Sequence, residues 1–259
     1  MGIVNVTPDS FFAEMRTADT ASAVERGRML FDQRAALVDV GGESTRPGAT
    51  PVDEATELER VVEVVSSLSA LGPVSIDTTK PAVARAAAEA GAVMLNDVSG
   101  SLASLAGELG LSWVAMHAKG TPQTMQVDPR YGDVVAEVSS WLSERAHEAR
   151  AAGVEDLWLD PGIGFGKTAA HNWSLLHHLA ELVSLAASLD ARLVVGTSRK
   201  RFLGLVGGRE EPVPAAARLD ASLATAVAAM VAGASMVRVH DVAETVDAAR
   251  LLVDEPVAS

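Results

Sequence analysis

The 259-residue chain contains no cysteine, which excludes disulfide bonds, thiolate metal ligands and a cysteine nucleophile. Basic residues are also scarce, because 21 Lys and Arg stand against 34 Asp and Glu. Nucleic acids and anionic membrane surfaces select for basic patches, so neither is expected as a partner. A small anionic substrate would need a local cluster of cations set against this overall charge.

Long apolar runs are missing too. No apolar stretch reaches the roughly 18 residues of a membrane-spanning helix, and no basic leader with an apolar core precedes Asn5. Together with the lack of cysteine, this predicts a soluble cytoplasmic protein. Hydrophobic residues make up 48% of the chain, which is enough for one large core. We therefore expect a single domain spanning residues 1–259.

Short runs rich in Val, Ile and Leu recur along the chain. They span residues 2–6, 36–40, 73–77, 92–96, 113–117, 157–160, 193–196 and 236–240. Stretches with helical periodicity separate most of them, including 55–71, 134–151, 173–189, 218–231 and 244–253. Continuous apolar strands alternating with helices indicate an α/β fold with a parallel sheet covered on its outer face. The pattern predicts a closed (β/α)8 TIM barrel, with a doubly wound open sheet as the alternative.

Each predicted strand ends in polar residues. In chain order these are Asn5, Asp39, Asp77, Asn96 with Asp97, His117, Asp160, Ser198 with Arg199 and Lys200, and Arg238 with His240. A single polar residue after a strand commonly solvates a turn or caps the next helix. In a barrel, however, the carboxyl ends of all strands meet at one rim, where the active sites of such enzymes lie. The full set therefore predicts a functional rim.

A glycine-rich loop, Pro161-Gly162-Ile163-Gly164-Phe165-Gly166-Lys167-Thr168, follows Asp160. It is not a Walker phosphate loop, because Pro161 stands where the first glycine should be. The dinucleotide fingerprint fails as well, because Lys167 occupies the place of its third glycine. What remains is the Asp160 carboxylate at the tip of a buried strand, beside glycines that let the backbone approach a ligand. Lys167 is expected to be solvated or paired with an acid.

Two further features bear on ligand binding. Arg46 lies among small residues in the loop 42–48, which leaves its guanidinium able to fork onto a phosphate. His171, His177 and His178 fall in a helical stretch without carboxylates at liganding spacing, so we expect them to be structural or exposed rather than metal ligands.

Three segments occur in the order and spacing of one known family. They are Asn5-Val6-Thr7-Pro8-Asp9-Ser10-Phe11, Gly42-Glu43-Ser44-Thr45-Arg46-Pro47-Gly48 and Ser198-Arg199-Lys200. With the Asp160 loop and Arg238-Val239-His240-Asp241, they resemble dihydropteroate synthase, and the resemblance covers nearly the whole chain. It implies a homodimeric (β/α)8 barrel, a transferase of folate biosynthesis and a sulfonamide target. Enzymes of this family join 6-hydroxymethyl-7,8-dihydropterin diphosphate to 4-aminobenzoate and release diphosphate with the help of Mg²⁺.

The resemblance also assigns roles to matching positions. The pterin would be bound by Asp77, Asn96, Met116, Asp160 and Lys200. The diphosphate would be bound by Asn5, Arg46, Arg238 and His240, with Asn5 also contacting Mg²⁺. The aminobenzoate would be bound by Thr45, Pro47, Phe165 and Arg201. The catalytic set is Asp77, Lys200 and Arg46, with Asp77 facing the cation that develops on the pterin methylene and no residue acting as general base.

The first loop departs from the family. Where the family continues Asp-Ser-Phe-Ser-Asp-Gly-Gly, this chain reads Asp9-Ser10-Phe11-Phe12-Ala13-Glu14-Met15-Arg16. One hypothesis is a working synthase in which Phe12 changes the affinity for aminobenzoate or for sulfonamides. The alternatives are a pterin-binding paralogue with weak or no synthase activity and a pterin-dependent methyltransferase, which would not need Arg46 or the loop 198–200.

Overall fold

Eight parallel strands form one continuous sheet in the computed structural model, which describes residues 1–6, 20–45 and 48–253. The strands are β1 Gly2–Asn5, β2 Val38–Gly41, β3 Val74–Asp77, β4 Met94–Asp97, β5 Ser112–Met116, β6 Leu157–Asp160, β7 Arg192–Val195 and β8 Met236–Val237. Each strand pairs with the next strand along the chain. Each of the eight runs predicted from the sequence therefore overlaps a strand.

The sheet closes on itself between β8 and β1. Gly2 forms a parallel bridge with Val239. The backbone N–H of Ile3 donates to the carbonyl of Val239 at 3.0 Å, and the N–H of Val239 donates to the carbonyl of Met1 at 2.9 Å. These bonds confirm the predicted (β/α)8 barrel and rule out the doubly wound open sheet.

The outer face of the barrel is covered by helices. Within the described residues they are α1 Thr20–Asp32, α2 Glu54–Ser69, α3 Pro81–Glu89, α4 Ala103–Leu109, α5 Val134–Ala151, α6 Ala169–His177, α7 Leu179–Ser188, α8 Leu219–Val231 and α9 Val242–Val253. Short 3-10 helices occupy Arg201–Leu205 and Ala215–Arg218. None of the helices in the described part of the chain has the length and apolar character needed to cross a membrane.

Four of the five helical stretches named from the sequence are confirmed, and one is wrong in part. The stretch 173–189 was expected to be one helix, but the chain breaks at His178, which ends α6 and precedes α7. His178 has φ −106° and ψ 21°, outside the helical range. Its ring nitrogen Nδ1 lies 2.7 Å from the carbonyl of Ser174, which accompanies the break.

The interior of the barrel is divided into two layers. At the amino ends of the strands, an apolar cluster is formed by Met1, Leu37, Met94, Val114, Trp158 and Val194, with Met236 packed against it. We call these seven residues the amino-end layer. Side chains two residues further along a strand point to the same face of the sheet. On five of these strands that position holds Asp39, Asn96, Met116, Asp160 or Arg238, which with Asp77 form the carboxyl-end layer.

Candidate active site

An ion-pair network joins residues of the carboxyl-end layer. Arg238 donates from Nε to Asp39 Oδ2 at 2.6 Å and from Nη2 to Asp77 Oδ2 at 2.8 Å. Asn96 Nδ2 donates to the same Asp39 oxygen at 2.9 Å. Asp39 is completely buried, so its charge is balanced only inside the protein. Because one side-chain N–H of Asn96 donates to Asp39, the network also fixes the orientation of the Asn96 amide group.

The two acids of this network each retain an oxygen for a ligand. Oδ1 of Asp39 and Oδ1 of Asp77 are buried and have no hydrogen-bond partner among the described residues. Burial raises the pKa of Asp77 to about 7, Arg238 opposes the rise, and the neighbouring acids Asp39, Glu57 and Asp97 add to it. Since buried acceptors without a partner cost free energy, these oxygens mark a position suited to the N–H groups of a bound molecule.

A third acid of this layer, Asp160, interacts electrostatically with Lys200. The Asp160 carboxylate accepts a hydrogen bond from the Gly162 N–H at 2.7 Å. Burial raises the pKa of Asp160, while the positive charge of Lys200 opposes the rise. Burial lowers the pKa of Lys200 to about 8, with Asp160 opposing in turn. The Lys200 ammonium donates to the carbonyl of Ile163 and lies 4.7 Å from the centre of the Phe165 ring.

The glycines of the loop after β6 make room for a neighbouring loop. Gly162 and Gly166 have φ values of +65° and +63°, in the left-handed region that favours glycine. A Cβ added to Gly162 would lie 1.7 Å from the carbonyl oxygen of His117, and one added to Gly166 would lie 2.2 Å from that of Lys119. These two glycines therefore serve close packing of the β5 and β6 loops.

The surroundings of Lys167 differ from the expectation that its side chain is solvated or paired with an acid. It is only 2% exposed, and its ammonium lies 2.9 Å from Nδ1 of His117 and donates to the carbonyls of Gly162 at 2.9 Å and Phe165 at 3.1 Å. Burial and Lys167 together lower the pKa of His117 to about 3, so its imidazole is neutral. His117, expected at the rim, is buried with its ring edge-on to Trp141.

The loops after β7 and β8 are fastened to each other. The Ser198 hydroxyl lies 2.9 Å from Nδ1 of His240 and accepts the backbone N–H of the same residue at 3.1 Å. Arg199, with φ +59°, forms an ion pair with Asp241 in which its Nε donates at 3.0 Å. Arg26 donates to the His240 carbonyl at 2.8 Å. His240 is thus held by the side chains of Ser198 and Arg26, and the neighbouring Asp241 is held by Arg199.

The loop after β2 is anchored at its base. Lys80, which precedes α3, forms ion pairs with Glu43 of this loop and with the buried Glu57 of α2. Arg60 donates to the carbonyl of Gly42 at 2.8 Å. These contacts fix the first residues of the loop that continues to Thr45.

Those of the remaining predicted residues that the structure describes lie at the same end of the barrel. Met116 ends β5 and is buried, and Asn5 ends β1 and is half-buried. Thr45 is half-buried, while Arg201 is exposed at the start of its 3-10 helix. Residues 7–19, which include Phe12, lie outside the described residues, as do Arg46 and Pro47.

The donor set for a metal is small. Within the described ranges there is no group of three or more His, Asp or Glu residues that could hold a metal ion. The amide oxygen of Asn5 suits a hard cation such as Mg²⁺, which keeps several waters and is bound largely through substrate phosphates.

Comparison with known proteins identifies the family. The family described as pterin binding enzymes matches residues 1–240. The dihydropteroate synthase of Mycobacterium leprae is 45% identical over 263 aligned positions, covering 97% of this chain and 91% of that protein. The chain belongs to the dihydropteroate synthase family. The synthase of Escherichia coli strain K12 is 44% identical and covers 97% of this chain and 89% of its own length.

Solved dihydropteroate synthases share the fold. The Yersinia pestis synthase in a sulfonamide drug complex is 40% identical, covers 98% of this chain and 92% of that chain, and superposes with a TM-score of 0.90. The Xanthomonas albilineans synthase with 4-aminobenzoic acid is 43% identical, covers 98% of this chain and 91% of that chain, and has a TM-score of 0.87. These comparisons confirm the resemblance drawn from the motifs and the transferase class.

Two residues of the dihydropteroate synthase site were not assigned a role from the sequence. Asp39 was recognised only as a strand end, although its two-residue spacing from Leu37 on a buried strand already placed it on the interior face. Lys167 was expected to be solvated because nothing in its local sequence reveals that the carbonyls of its own loop turn towards it.

Proposed function

We propose that the chain catalyses the condensation of 6-hydroxymethyl-7,8-dihydropterin diphosphate with 4-aminobenzoate, with release of diphosphate. The observation that supports this most directly is the carboxyl-end layer itself. Four side chains assigned to the pterin from the sequence, Asp77, Asn96, Met116 and Asp160, all lie buried in that layer. Their donors and acceptors suit a flat heterocycle that carries hydrogen-bonding groups along one edge.

The pterin would lie between the acids and Met116. Asp160 and Asn96 would pair with the polar edge of the ring, and the unpartnered Oδ1 of Asp77 would accept a further N–H. Met116 would offer a polarizable wall to the ring face. Lys200 would complete the pocket, where burial lowers the pKa of its ammonium to about 8.

The diphosphate would lie against basic side chains at the rim. Arg238 and His240 are the described members of this group, and Arg46 is the third. A guanidinium has five N–H donors, and the bonds to Asp39 and Asp77 use one at Nε and one at Nη2 of Arg238. The other donors can bind phosphate oxygens. Mg²⁺, held by the Asn5 amide oxygen together with the diphosphate, would neutralise charge on the leaving group.

In the reaction, the bond between the pterin methylene carbon and the diphosphate oxygen breaks, and the electron pair leaves with the diphosphate. The amine nitrogen of 4-aminobenzoate then bonds to the methylene carbon, and the proton that it loses passes to solvent. Asp77 would stabilise the positive charge on the pterin, and Arg238, His240 and Arg46 the negative charge on the diphosphate. Fixed charges aimed at the developing charges supply the rate enhancement, so neither a covalent intermediate nor a general base is needed.

The aminobenzoate would bind towards the loops after β2 and β6. Phe165 would form one wall, and Thr45 and Pro47 the other. The exposed Arg201 guanidinium would attract the carboxylate of the second substrate. Sulfonamides, which mimic aminobenzoate, would bind in the same place.

The decisive experiment is an assay of diphosphate release with the pterin diphosphate and Mg²⁺, with and without 4-aminobenzoate. We expect release that depends on both substrates. Tight pterin binding by calorimetry without any diphosphate release would instead identify a pterin-binding paralogue. Binding of the pterin diphosphate that does not depend on Mg²⁺ would contradict the role given to Asn5.

We also propose that the protein is a cytoplasmic homodimer, as expected from the family. Sedimentation equilibrium should then give about twice the chain mass of 26.9 kDa. A mass equal to one chain would refute the dimer, and recovery of the protein in the membrane fraction would refute the location.

A further inference from the structure

The loop from Gly162 to Gly166 has an unusual arrangement of its carbonyl groups. Every one of its five backbone carbonyls accepts a hydrogen bond from a side chain. The donors are Lys167 to Gly162 and Phe165, Lys200 to Ile163, Gln126 to Gly164, and Tyr131 to Gly166. A loop with three left-handed glycines has little conformational preference of its own. Its shape is therefore set by these donors.

Lys167 is the donor that closes the loop. Its ammonium binds the carbonyls of Gly162 and Phe165, which lie at opposite ends of a turn that is also closed by the Phe165 N–H donating to the Gly162 carbonyl at 3.0 Å. It reaches across to His117 at the end of β5 as well. One buried amine thus connects both ends of the turn to the neighbouring strand.

Burial lowers the pKa of Lys167 to about 7, with the charge of Asp160 opposing the shift. The two carbonyls have an N–H donor in either protonation state, because a neutral amine keeps two N–H groups. An ammonium has three N–H donors and no acceptor, and the nearest partners of Lys167 are two carbonyl oxygens and the ring nitrogen of a neutral histidine. A methylene chain without the ammonium would leave these buried acceptors without a donor, which proteins avoid. The two carbonyls and the histidine ring around the Lys167 amine therefore require a lysine at this position and not merely a long side chain.

We propose that Lys167 is a positioning residue, which holds the loop 162–166 in the conformation that presents the Phe165 ring to the second substrate. It does this through backbone carbonyls, without touching either substrate. The inference rests on the proposed function for the role of Phe165 as a wall of the aminobenzoate site. The backbone of Asp160, by contrast, is held in β6. Its carboxylate meets the loop at the Gly162 N–H, only two residues after the strand ends, so pterin binding should depend less on the loop than aminobenzoate binding does.

The test compares Lys167→Met with Lys119→Met. Methionine keeps most of the length of lysine but donates no hydrogen bond. Lys119 is an exposed lysine near the same loop. Its ammonium bonds to the Arg130 carbonyl and Glu137 and lies 4.2 Å from the centre of the Tyr131 ring. Because the five loop carbonyls have other donors, Lys119 controls for the loss of a positive charge. We expect Lys167→Met to raise the KM for 4-aminobenzoate roughly tenfold or more, to change the Kd of the pterin diphosphate less than about threefold, and Lys119→Met to leave both constants unchanged.

A rescue experiment separates positioning from a general loss of folded protein. Lys167→Ala lacks a propylammonium group relative to lysine, so added propylammonium should lower the raised KM of this variant. A fall in kcat with an unchanged KM, or equal weakening of both substrates, would overturn the proposal. So would rescue by propane-1-sulfonate, which carries the opposite charge.

Hydrogen exchange provides a readout that needs no activity. In Lys167→Met, peptides covering residues 160–168 should exchange at least about tenfold faster than in the wild type, with strands β1 to β4 unchanged. Unchanged exchange in this segment would refute the role of Lys167 even in an active enzyme. If the wild type released no diphosphate, the proposed function alone would fail, and the exchange result would still decide the role of Lys167.

Discussion

The two layers inside the barrel are built on the same strands and differ only in side-chain chemistry. On β6, Trp158 belongs to the apolar amino-end layer and Asp160, two residues later, to the polar carboxyl-end layer. The same step leads from Leu37 to Asp39 and from Met94 to Asn96 on their own strands. The comparison shows that the residues that stabilise the barrel and the residues of the candidate active site occupy different levels along the barrel axis. On a single strand the two levels are only two residues apart.

The energetic state of the two layers differs accordingly. The amino-end layer removes apolar surface from water and contains no charged side chain. In the carboxyl-end layer, burial raises the pKa of Asp160 and that of Asp77, the latter to about 7, and it lowers the pKa of the neighbouring Lys200 to about 8. Such shifts report that the fold works against the preferred state of these groups. Substitutions in the two layers should therefore have opposite consequences for stability and activity.

The largest expected effect is on stability, in the amino-end layer. Trp158→Ala should lower the free energy of unfolding by about 3–5 kcal/mol, because it removes a large buried ring and leaves a cavity. The KM values of the protein that remains folded should not change. Urea unfolding and steady-state kinetics would measure the two quantities, and a raised KM for either substrate would show that the layers are not independent.

Asp160→Asn should have the largest effect on activity. We expect a loss of kcat/KM on the order of 10²-fold, with the free energy of unfolding unchanged or increased, because an amide needs no charge in this buried place. Asp156→Asn is the matched control, since Asp156 precedes β6 at the opposite end of the barrel and pairs with Arg192. If both variants lost activity equally, Asp160 would have no special role.

The effect of pH should distinguish the layers more finely. Asp77 has a folded-state pKa of about 7, raised from 3.8, so the folded protein holds this proton more tightly than the unfolded chain does. Its contribution to stability is fully present below about pH 4 and is lost as the pH rises through about 7.

Asp77→Asn lacks this titration. The free energy of unfolding of the variant minus that of the wild type should therefore increase between pH 4 and pH 7.5. Denaturant unfolding at four or five pH values would measure it. A difference that stayed constant with pH would show that Asp77 is ionised in the folded protein throughout this range.

The smallest effects are expected from a pair of conservative changes. Met94→Leu and Met116→Leu both keep the volume of a buried side chain, so each should cost less than about 1.5 kcal/mol of stability. Only Met116→Leu, in the carboxyl-end layer, should raise the Kd of the pterin diphosphate, by about threefold, because it removes the polarizable sulfur. Calorimetry on both variants would reveal whether this effect is confined to one layer.

The strands could be predicted well because each is a continuous apolar run with its own turn residues. The exceptions have physical causes. The last run was expected to extend over 236–240, but the strand is only Met236–Val237, and Arg238 beyond it turns its side chain to Asp39 and Asp77. The stretch 173–189 has helical periodicity throughout, so its sequence gives no sign of the break at His178. The break results from the non-helical backbone angles of that one residue.

The site could be predicted as a set of positions but not as a set of contacts. The polar strand ends and the family motifs named Asp77, Asn96, Asp160 and Lys200. The burial of Lys167 depends on His117, which lies 50 positions earlier in the chain. The pairing of Arg238 with Asp39 joins residues 199 positions apart. Contacts of this range follow from barrel closure, which no local pattern encodes.

The closure between β8 and β1 has a consequence for substrate binding. This seam is narrow, since β8 has two residues, and the bond from the Met1 amino group to the Val237 carbonyl spans 236 positions. Arg238 follows β8 at the seam and forms ion pairs with Asp39 of β2 and Asp77 of β3, beyond β1. A diphosphate held by Arg238 and by Asn5 would bridge the two margins of the seam. On this proposal the bound substrate would hold the two margins together, so we expect the loaded barrel to open less often than the empty one.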